Sequence, residues 1–297
     1  MNANDKSERQ TRSDRRRPGD VGTAAGQRRV SNVSEPFFHR DGDWYIGNGS
    51  ARGPWDAEAC HAGPVTGVLA RVIETAVTDK QLARVTANFS RPIPVRGFRV
   101  DTEIVRNGRA AAEVTATLRD REDRVCAVTF GLLLGAGSFT GLPSASMPGP
   151  DLTAAGPGRF PVERAMHGQP FFGASIEVAY PPGETGQPGP TTMWMRTPAI
   201  IEGENPSPFQ RLCPIADCGN GISRNAEFTE ATFINPDLTV AVFRLPESDW
   251  IASQATSFWE PTGIGMSHAM LFDDRGPVGA ALQTLIVRPR DQASVVA

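Results

Sequence analysis

Lysine is almost missing from this sequence: among 30 basic side chains in 297 residues, Lys6 and Lys80 are the only lysines and the rest are arginines. No stretch approaches the roughly 18 consecutive apolar residues that a membrane-crossing helix needs. The opening residues, MNANDKSERQTRSDRRRPGD, hold no apolar stretch of the kind a secretory leader uses. Cysteine is sparse as well. Cys60, Cys126, Cys213 and Cys218 form no CxxC pair, and the 4 histidines have no zinc-ligand spacing, so no structural zinc site is expected. Scattered thiols of this kind suit a reducing compartment, and a cytoplasmic protein is expected. Net charge is −3, without the concentrated basic footprint that nucleic acid or an anionic membrane surface requires.

What is present is enough apolar material for a core, 39% hydrophobic against 21% charged. Residues 1–33 carry eight basic and four acidic side chains with no apolar periodicity, and read as a disordered polar tail. The remainder holds 22 basic against 29 acidic residues, so the body is acidic. After a short strand within 43–50, Pro64 opens a helix. Val65, Val68, Leu69, Val72, Ile73 and Ala76 there form one broad apolar stripe. Four runs rich in β-branched residues follow, at 85–90, 98–105, 112–119 and 125–134, separated by turn-forming PIP, NGR and REDR. A Gly/Pro/Ser-rich stretch then suggests a linker at 141–158, between domains at 34–140 and 159–292.

The second half repeats the plan. Strands are expected at 174–179 and 191–197, and Ser207-Pro208 offers an N-cap and a first-turn proline. The helix behind it aligns Leu212, Ile215, Ala216, Gly219 and Ile222, and four more strands are expected at 238–244, 251–258, 265–272 and 278–287. Arg91 to Ala127 spans 36 positions, as does Arg244 to Ala280, which points to a duplicated domain rather than a short solenoid repeat.

A strand, a buried helix and a four-strand meander, given twice, resembles the double hotdog of acyl-CoA thioesterases. The expected fold is therefore α+β, with two tandem hotdog domains, each a long helix packed on an antiparallel sheet. RGPWDAEACHAGPVTGVLARVIE resembles the opening helix of the thioesterase-like superfamily related to acyl-CoA thioesterase II. PIADCGNGIS, NPDLTVAVFRLPESDWI, EPTGIGMSHAMLFDDRGPVG and AALQTLIVRPR resemble its second hotdog in order and spacing, so that the likeness covers roughly 36–290.

That resemblance implies cofactor-free hydrolysis of an acyl thioester by water held between an Asp, a Ser or Thr, and a Gln. The matching positions are Asp217, Asn235 and Gln283; Asn235 departs from the hydroxyl pattern. A buried carboxylate can serve as general base if it stays ionised, and a buried amide such as Gln283 needs partners. His61 and Gly63 stand at the N-terminus of the first helix, where free N–H groups and the positive dipole end can polarise a carbonyl. Trp259 and Gly263 are candidates to border an acyl tunnel. Cys218 beside Asp217 reads as a small buried thiol, since no activating His is identifiable.

The leading expectation is thus a thioesterase acting on acyl-CoA or an acyl-carrier protein, in lipid or polyketide metabolism, with a homo-oligomer implied by the resemblance. Two alternatives stay open. One is acyl transfer or dehydration of a thioester-bound chain, which needs a paired Asp and His. The other is an acyl-thioester-binding protein that does not hydrolyse.

Overall fold

The computed structural model describes residues 35–143 and 145–290; the tail expected at 1–33 lies outside them. The first half opens with a hairpin of β1 (Phe38–Asp41) and β2 (Trp44–Gly47), turned at Gly42 with φ of 59°. Helix α1 (Ala62–Ala76) follows. Then come β3 (Gln81–Phe89), β4 (Phe98–Asn107), β5 (Ala111–Asp120) and β6 (Val125–Leu134). The second half contributes β7 (Gly156–Gly158), a single helical turn α2 (Phe172–Ser175), β8 (Glu177–Tyr180) and β9 (Thr191–Arg196). It continues with α3 (Pro208–Ala216), α4 (Gly219–Ile222), β10 (Ala231–Ile234) and β11 (Asp237–Val242). The chain closes with β12 (Ile251–Trp259), β13 (Ile264–Asp273) and β14 (Gly276–Pro289).

All the strands join one antiparallel sheet in the order β1-β2-β4-β5-β6-β3-β11-β14-β13-β12-β9-β8-β7, with β10 laid beside the far end of β14. Outward from the β3–β11 seam the first six strands follow the same plan in both directions, and β7 is an extra strand at the far edge of the second half. Across that seam Thr86 faces Thr239, and their hydroxyls meet at 3.1 Å. The two threonines are 153 positions apart, as are Arg91 and Arg244, so Thr86 and Thr239 are counterparts that face each other on a local two-fold. This is the double hotdog, with two halves that pair edge to edge through the same strand.

Two details sharpen the duplication. Asp120 and Asp273, also 153 apart, each end a strand and each accept backbone N–H groups of the following turn. Both meanders carry a register shift just before that turn. The turn itself is one residue shorter in the second half, where Gly276 adopts φ of 121°. Leu118 therefore pairs with Ala127, whereas Leu271 pairs with Gly279. The matched 36-residue spacing placed Ala127 opposite Ala280 and is off by one from this turn onward.

Helix α1 is the core of the assembly. Val65, Val68, Leu69 and Ile73 are fully buried, each worth about 1.5–3 kcal/mol of apolar burial. Its other side is buried too, because α3 runs antiparallel along it. A Cβ on Gly63 would lie 2.8 Å from the Pro214 Cα, and one on Gly67 would lie 3.4 Å from the Gln210 carbonyl oxygen. At the other end Ser207 caps α3 by accepting from Gln210 N, while its hydroxyl and the Gln210 amide donate to Glu74 of α1.

The single helix expected over Leu212–Ile222 is instead two. Pro214 has no N–H to give the preceding turn, and Gly219 and Gly221 hold helix weakly, so the chain breaks at Asp217 and Cys218. The strand expected at 174–179 begins later, at Glu177, because Phe172–Ser175 form the turn α2. β10 was not foreseen, and the stretch read as a linker supplies β7 at the sheet edge. Among the described residues no helix is long and apolar enough to cross a membrane.

Arg244 clamps the second meander. Its guanidinium donates to both Asp273 oxygens at 2.5 and 2.7 Å, and the backbone N–H groups of Glu247 and Arg275 donate to the same carboxylate. Burial pushes the Asp273 carboxyl up, but the Arg244 bonds and the two N–H donors outweigh it and hold it below its ordinary value. A lowered folded-state value means stabilisation that is complete above the usual carboxylate range and is lost as pH falls through the lowered value. Asp273→Asn should therefore cost roughly 1–3 kcal/mol in denaturant unfolding at neutral pH, with the gap to wild type closing under acid conditions. Equal stability at neutral pH would remove the clamp from the account.

Candidate active site

Asp217 ends α3 and is 4% exposed. A carboxylate so placed needs partners, and three side chains meet it. From the end of β10 comes Asn235, whose Nδ2 donates to Asp217 Oδ1 at 2.8 Å. From β14 comes Gln283, whose Nε2 donates to the same oxygen at 2.9 Å. From the first half comes His61, with Nδ1 3.0 Å from Asp217 Oδ2. His61 is also the N-cap of α1, its Nδ1 3.2 Å from Gly63 N, and the positive dipole end of that helix lies close to the carboxylate: a Cβ on Gly63 would be 3.0 Å from the Asp217 Cβ.

The donors are themselves held. Gln283 Oε1 accepts from Asn220 N of α4 at 3.1 Å, and Asn220 Nδ2 donates to Asn235 Oδ1 at 3.3 Å. Asn235 Nδ2 also donates to the Asp237 carbonyl at 3.2 Å. Gly219 has no side chain to fill the space where Gln283 reaches the helix; a Cβ there would lie 3.2 Å from Gln283 Oε1 and 3.1 Å from Ser267 Oγ. The His61 ring stacks on Phe172 of α2, with centroids 4.2 Å apart and planes at 18°. One imidazole from the first half is thus held between an aromatic ring and a carboxylate of the second.

The structure brings Asp217, Asn235, Gln283, His61 and Gly63 together. It does not bring Trp259 and Gly263 into the group. Gly263 forms the β12–β13 turn with φ of 81°, its carbonyl accepting from Val287 N and Arg288 Nη1. Trp259 packs on Phe233 at 5.2 Å, in an apolar cluster with Leu285 and Val287. Phe233 lies two residues before Asn235 and Leu285 two after Gln283, so that cluster continues the same sheet face outward from the polar group.

Asn220 and Phe172 were missed from sequence. Asn220 stood three residues after Asp217, a helical spacing that was available as a signal; nothing in the sequence marked Phe172. His268 stacks on Phe258, and His167 Nε2 contacts the Gly53 carbonyl at 3.0 Å, both away from Asp217. Among the described residues no cluster of three or more His, Cys, Asp and Glu is placed to hold a metal ion.

With this geometry in place, similarity to known proteins can be read. Residues 51–133 match the family described as acyl-CoA thioesterase N-terminal domain, and residues 148–287 the one described as acyl-CoA thioesterase C-terminal domain. The chain belongs to the acyl-CoA thioesterase family. No curated protein matches it. Among solved structures it is similar to a provisionally named thioesterase from Novosphingobium aromaticivorans, at 18% identity and TM-score 0.67, over 85% of this chain and 99% of that one. A provisionally named thioesterase II from Thermobifida fusca gives 18% and 0.66, over 86% and 96%. An acyl-CoA thioesterase II from Mycobacterium marinum gives 16% and 0.59, over 83% and 93%. At these identities the likeness establishes the fold.

The family member at hand has no thiol poised for attack beside Asp217. Burial pushes the Cys218 and Cys213 thiols well above their ordinary values, and the Cys218 Sγ contacts the Pro214 carbonyl at 3.2 Å. A thiol-alkylating reagent at pH 8 should leave both unlabelled in the native protein, read by mass spectrometry of digested peptides. Rapid native labelling of Cys218 would reopen a covalent route.

Close approach at Gly63 is what lets α1 reach Asp217. Gly63→Ala should lower unfolding free energy by about 1–3 kcal/mol, because the Pro214 backbone cannot yield as a flexible side chain would. A variant as stable as wild type would show that the helices are free to separate.

Proposed function

We propose that this protein hydrolyses acyl thioesters, of coenzyme A or of a carrier protein, at the Asp217 group. The observation that carries the reading is the convergence of Asn235 and Gln283 on one oxygen of a buried carboxylate, at the end of an apolar sheet face. A thioester whose acyl chain follows Phe233, Leu285 and Trp259 would present its carbonyl carbon to water beside Asp217. The N-terminal amides of α1 around Gly63 would meet the oxygen on which charge develops. Water adds to the carbonyl carbon, the C–S bond breaks, and a carboxylic acid and a thiol leave.

Four free thiols suit a reducing cytoplasm. The exposed Phe130, Phe258, Met266, Leu282 and Ile286 are compatible with a homo-oligomer.

The test incubates the full chain with acyl-CoAs of graded length and follows free thiol. Release is expected from part of the series, falling 100-fold or more in Asp217→Asn and about 10-fold or more in Gln283→Ala, with folding intact. Absence of thiol release across the series, from folded protein, would defeat the hydrolase reading.

A second reading rests on the 3.0 Å contact between His61 and Asp217. An imidazole paired with a carboxylate is what reversible dehydration of a 3-hydroxyacyl thioester requires: one group takes the C2 proton and the other protonates the departing hydroxyl. Loss of the conjugated absorbance of a 2-enoyl-CoA without thiol release would select it.

A further inference from the structure

We propose that His61 is the residue that moves the proton in hydrolysis, through its Nε2, and that Asp217 is the positioning residue that holds it. The inference deepens the hydrolase reading and rests on it for the identity of the substrate.

Three observations lead there. Asp217 is already occupied: Oδ1 accepts the Asn235 and Gln283 amides, and Oδ2 lies 3.0 Å from His61 Nδ1. With Asp217 ionised, two electron-rich atoms at that distance need a proton between them, and Nδ1 is the one that carries it and donates it to the carboxylate. In the neutral ring this sets the tautomer, because an imidazole protonated at Nδ1 leaves Nε2 with a free lone pair. Among the described residues no hydrogen-bond partner meets Nε2, and the side chain keeps 14% of its surface open. The ring is also held in plane by Phe172, 4.2 Å away. A ring fixed on one face by an aromatic and at Nδ1 by a carboxylate can direct Nε2 with little freedom to lose.

The same tautomer releases a donor. Gly63 N lies 3.2 Å from His61 Nδ1, which it can reach as a helix cap only if Nδ1 has no proton. Once Nδ1 donates to Asp217, the Gly63 N–H loses its acceptor in His61 while still pointing at the ring, so a thioester carbonyl would have to meet it from beside Nδ1.

The step balances. Nε2 takes a proton from water as the water oxygen bonds to the carbonyl carbon, giving a tetrahedral oxyanion beside Gly63. The C–S bond then breaks, and the sulfur takes the proton from Nε2. An acid and a thiol leave, and His61 is neutral again, still donating from Nδ1 to Asp217.

The test has one arm that needs no substrate. In the full chain labelled with nitrogen-15 at histidine, the nitrogen shifts of His61, assigned by their loss in His61→Gln, should report the Nδ1-protonated tautomer at neutral pH. In Asp217→Ala that preference should be lost. A ring protonated at Nε2, with Nδ1 accepting from Gly63, would overturn the proposal whatever the substrate proves to be.

The kinetic arm uses whichever acyl-CoA the wild-type protein cleaves. His61→Ala should lose about 100-fold or more of turnover and regain part of it with added imidazole. His61→Asn keeps a capping side chain for α1 and should be as impaired as His61→Ala. If His61→Asn turns over within a few-fold of wild type while Asp217→Asn does not, the proton goes to Asp217 and the proposal fails. Failure of wild-type protein to release thiol from any acyl-CoA would instead count against the hydrolase reading, and the tautomer measurement would still stand by itself.

Discussion

A carboxylate held out of water is the constraint on which the rest of this site depends. Left unpartnered, Asp217 would be among the most costly groups in the interior, so the fold must deliver donors to it from several directions. It does so with neutral amides, an imidazole and the positive end of α1, and, among the described residues, with no lysine or arginine. A cation there would pair with the carboxylate and be hard to displace. Neutral donors satisfy it while leaving a protonatable ring as the neighbour whose state can change.

The duplication shows how one half gained this group and the other did not. Counting from the Thr86–Thr239 pair, Gly131 holds in β6 the place that Gln283 holds in β14: each follows the residue that pairs with its threonine. In the first half Ile73 presses on that place, and a Cβ on Gly131 would lie 2.6 Å from its Cγ2. In the second half the glycine is on the helix instead, at Gly219, and the side chain is on the strand. Exchanging which partner is glycine turns an apolar contact into room for a buried amide. Likewise Leu82 stands where Asn235 does, 153 residues earlier, and is buried among apolar neighbours.

Much of this architecture was legible because its signals are local. The α1 stripe, the Ser207-Pro208 cap and the β-branched runs each depend on residues a few positions apart, and α1, β4, β5 and β6 formed close to their expected bounds. The rest depended on contacts at long sequence separation. His61 and Asp217 are 156 residues apart and meet only because Gly63 allows α1 to press on Pro214, which no periodicity reports. Asn235 and Gln283 stood out through family likeness rather than pattern, and an Asn-Pro pair alone reads as a turn. The break at Asp217 was visible in principle, since Pro214 and two glycines flank it, but the apolar spacing of Leu212, Ile215, Gly219 and Ile222 spoke for one helix. β10 is short and owes its existence to the unusual length of β14, a partner only folding provides.

Asn235, at the position where the resemblance implies a hydroxyl, is best understood by counting its bonds. A serine or threonine offers one proton, so donating to Asp217 would use it up. The amide offers two on one nitrogen, giving one to Asp217 Oδ1 and one to the Asp237 carbonyl, and its oxygen accepts from Asn220. It therefore ties the carboxylate both to the start of β11 and to α4, which in turn fixes Gln283. A hydroxyl in the same place would hold the carboxylate without that second anchor. The amide at this position stiffens Asp217. A stiff carboxylate is suited to orienting a partner, and the partner within its reach is His61.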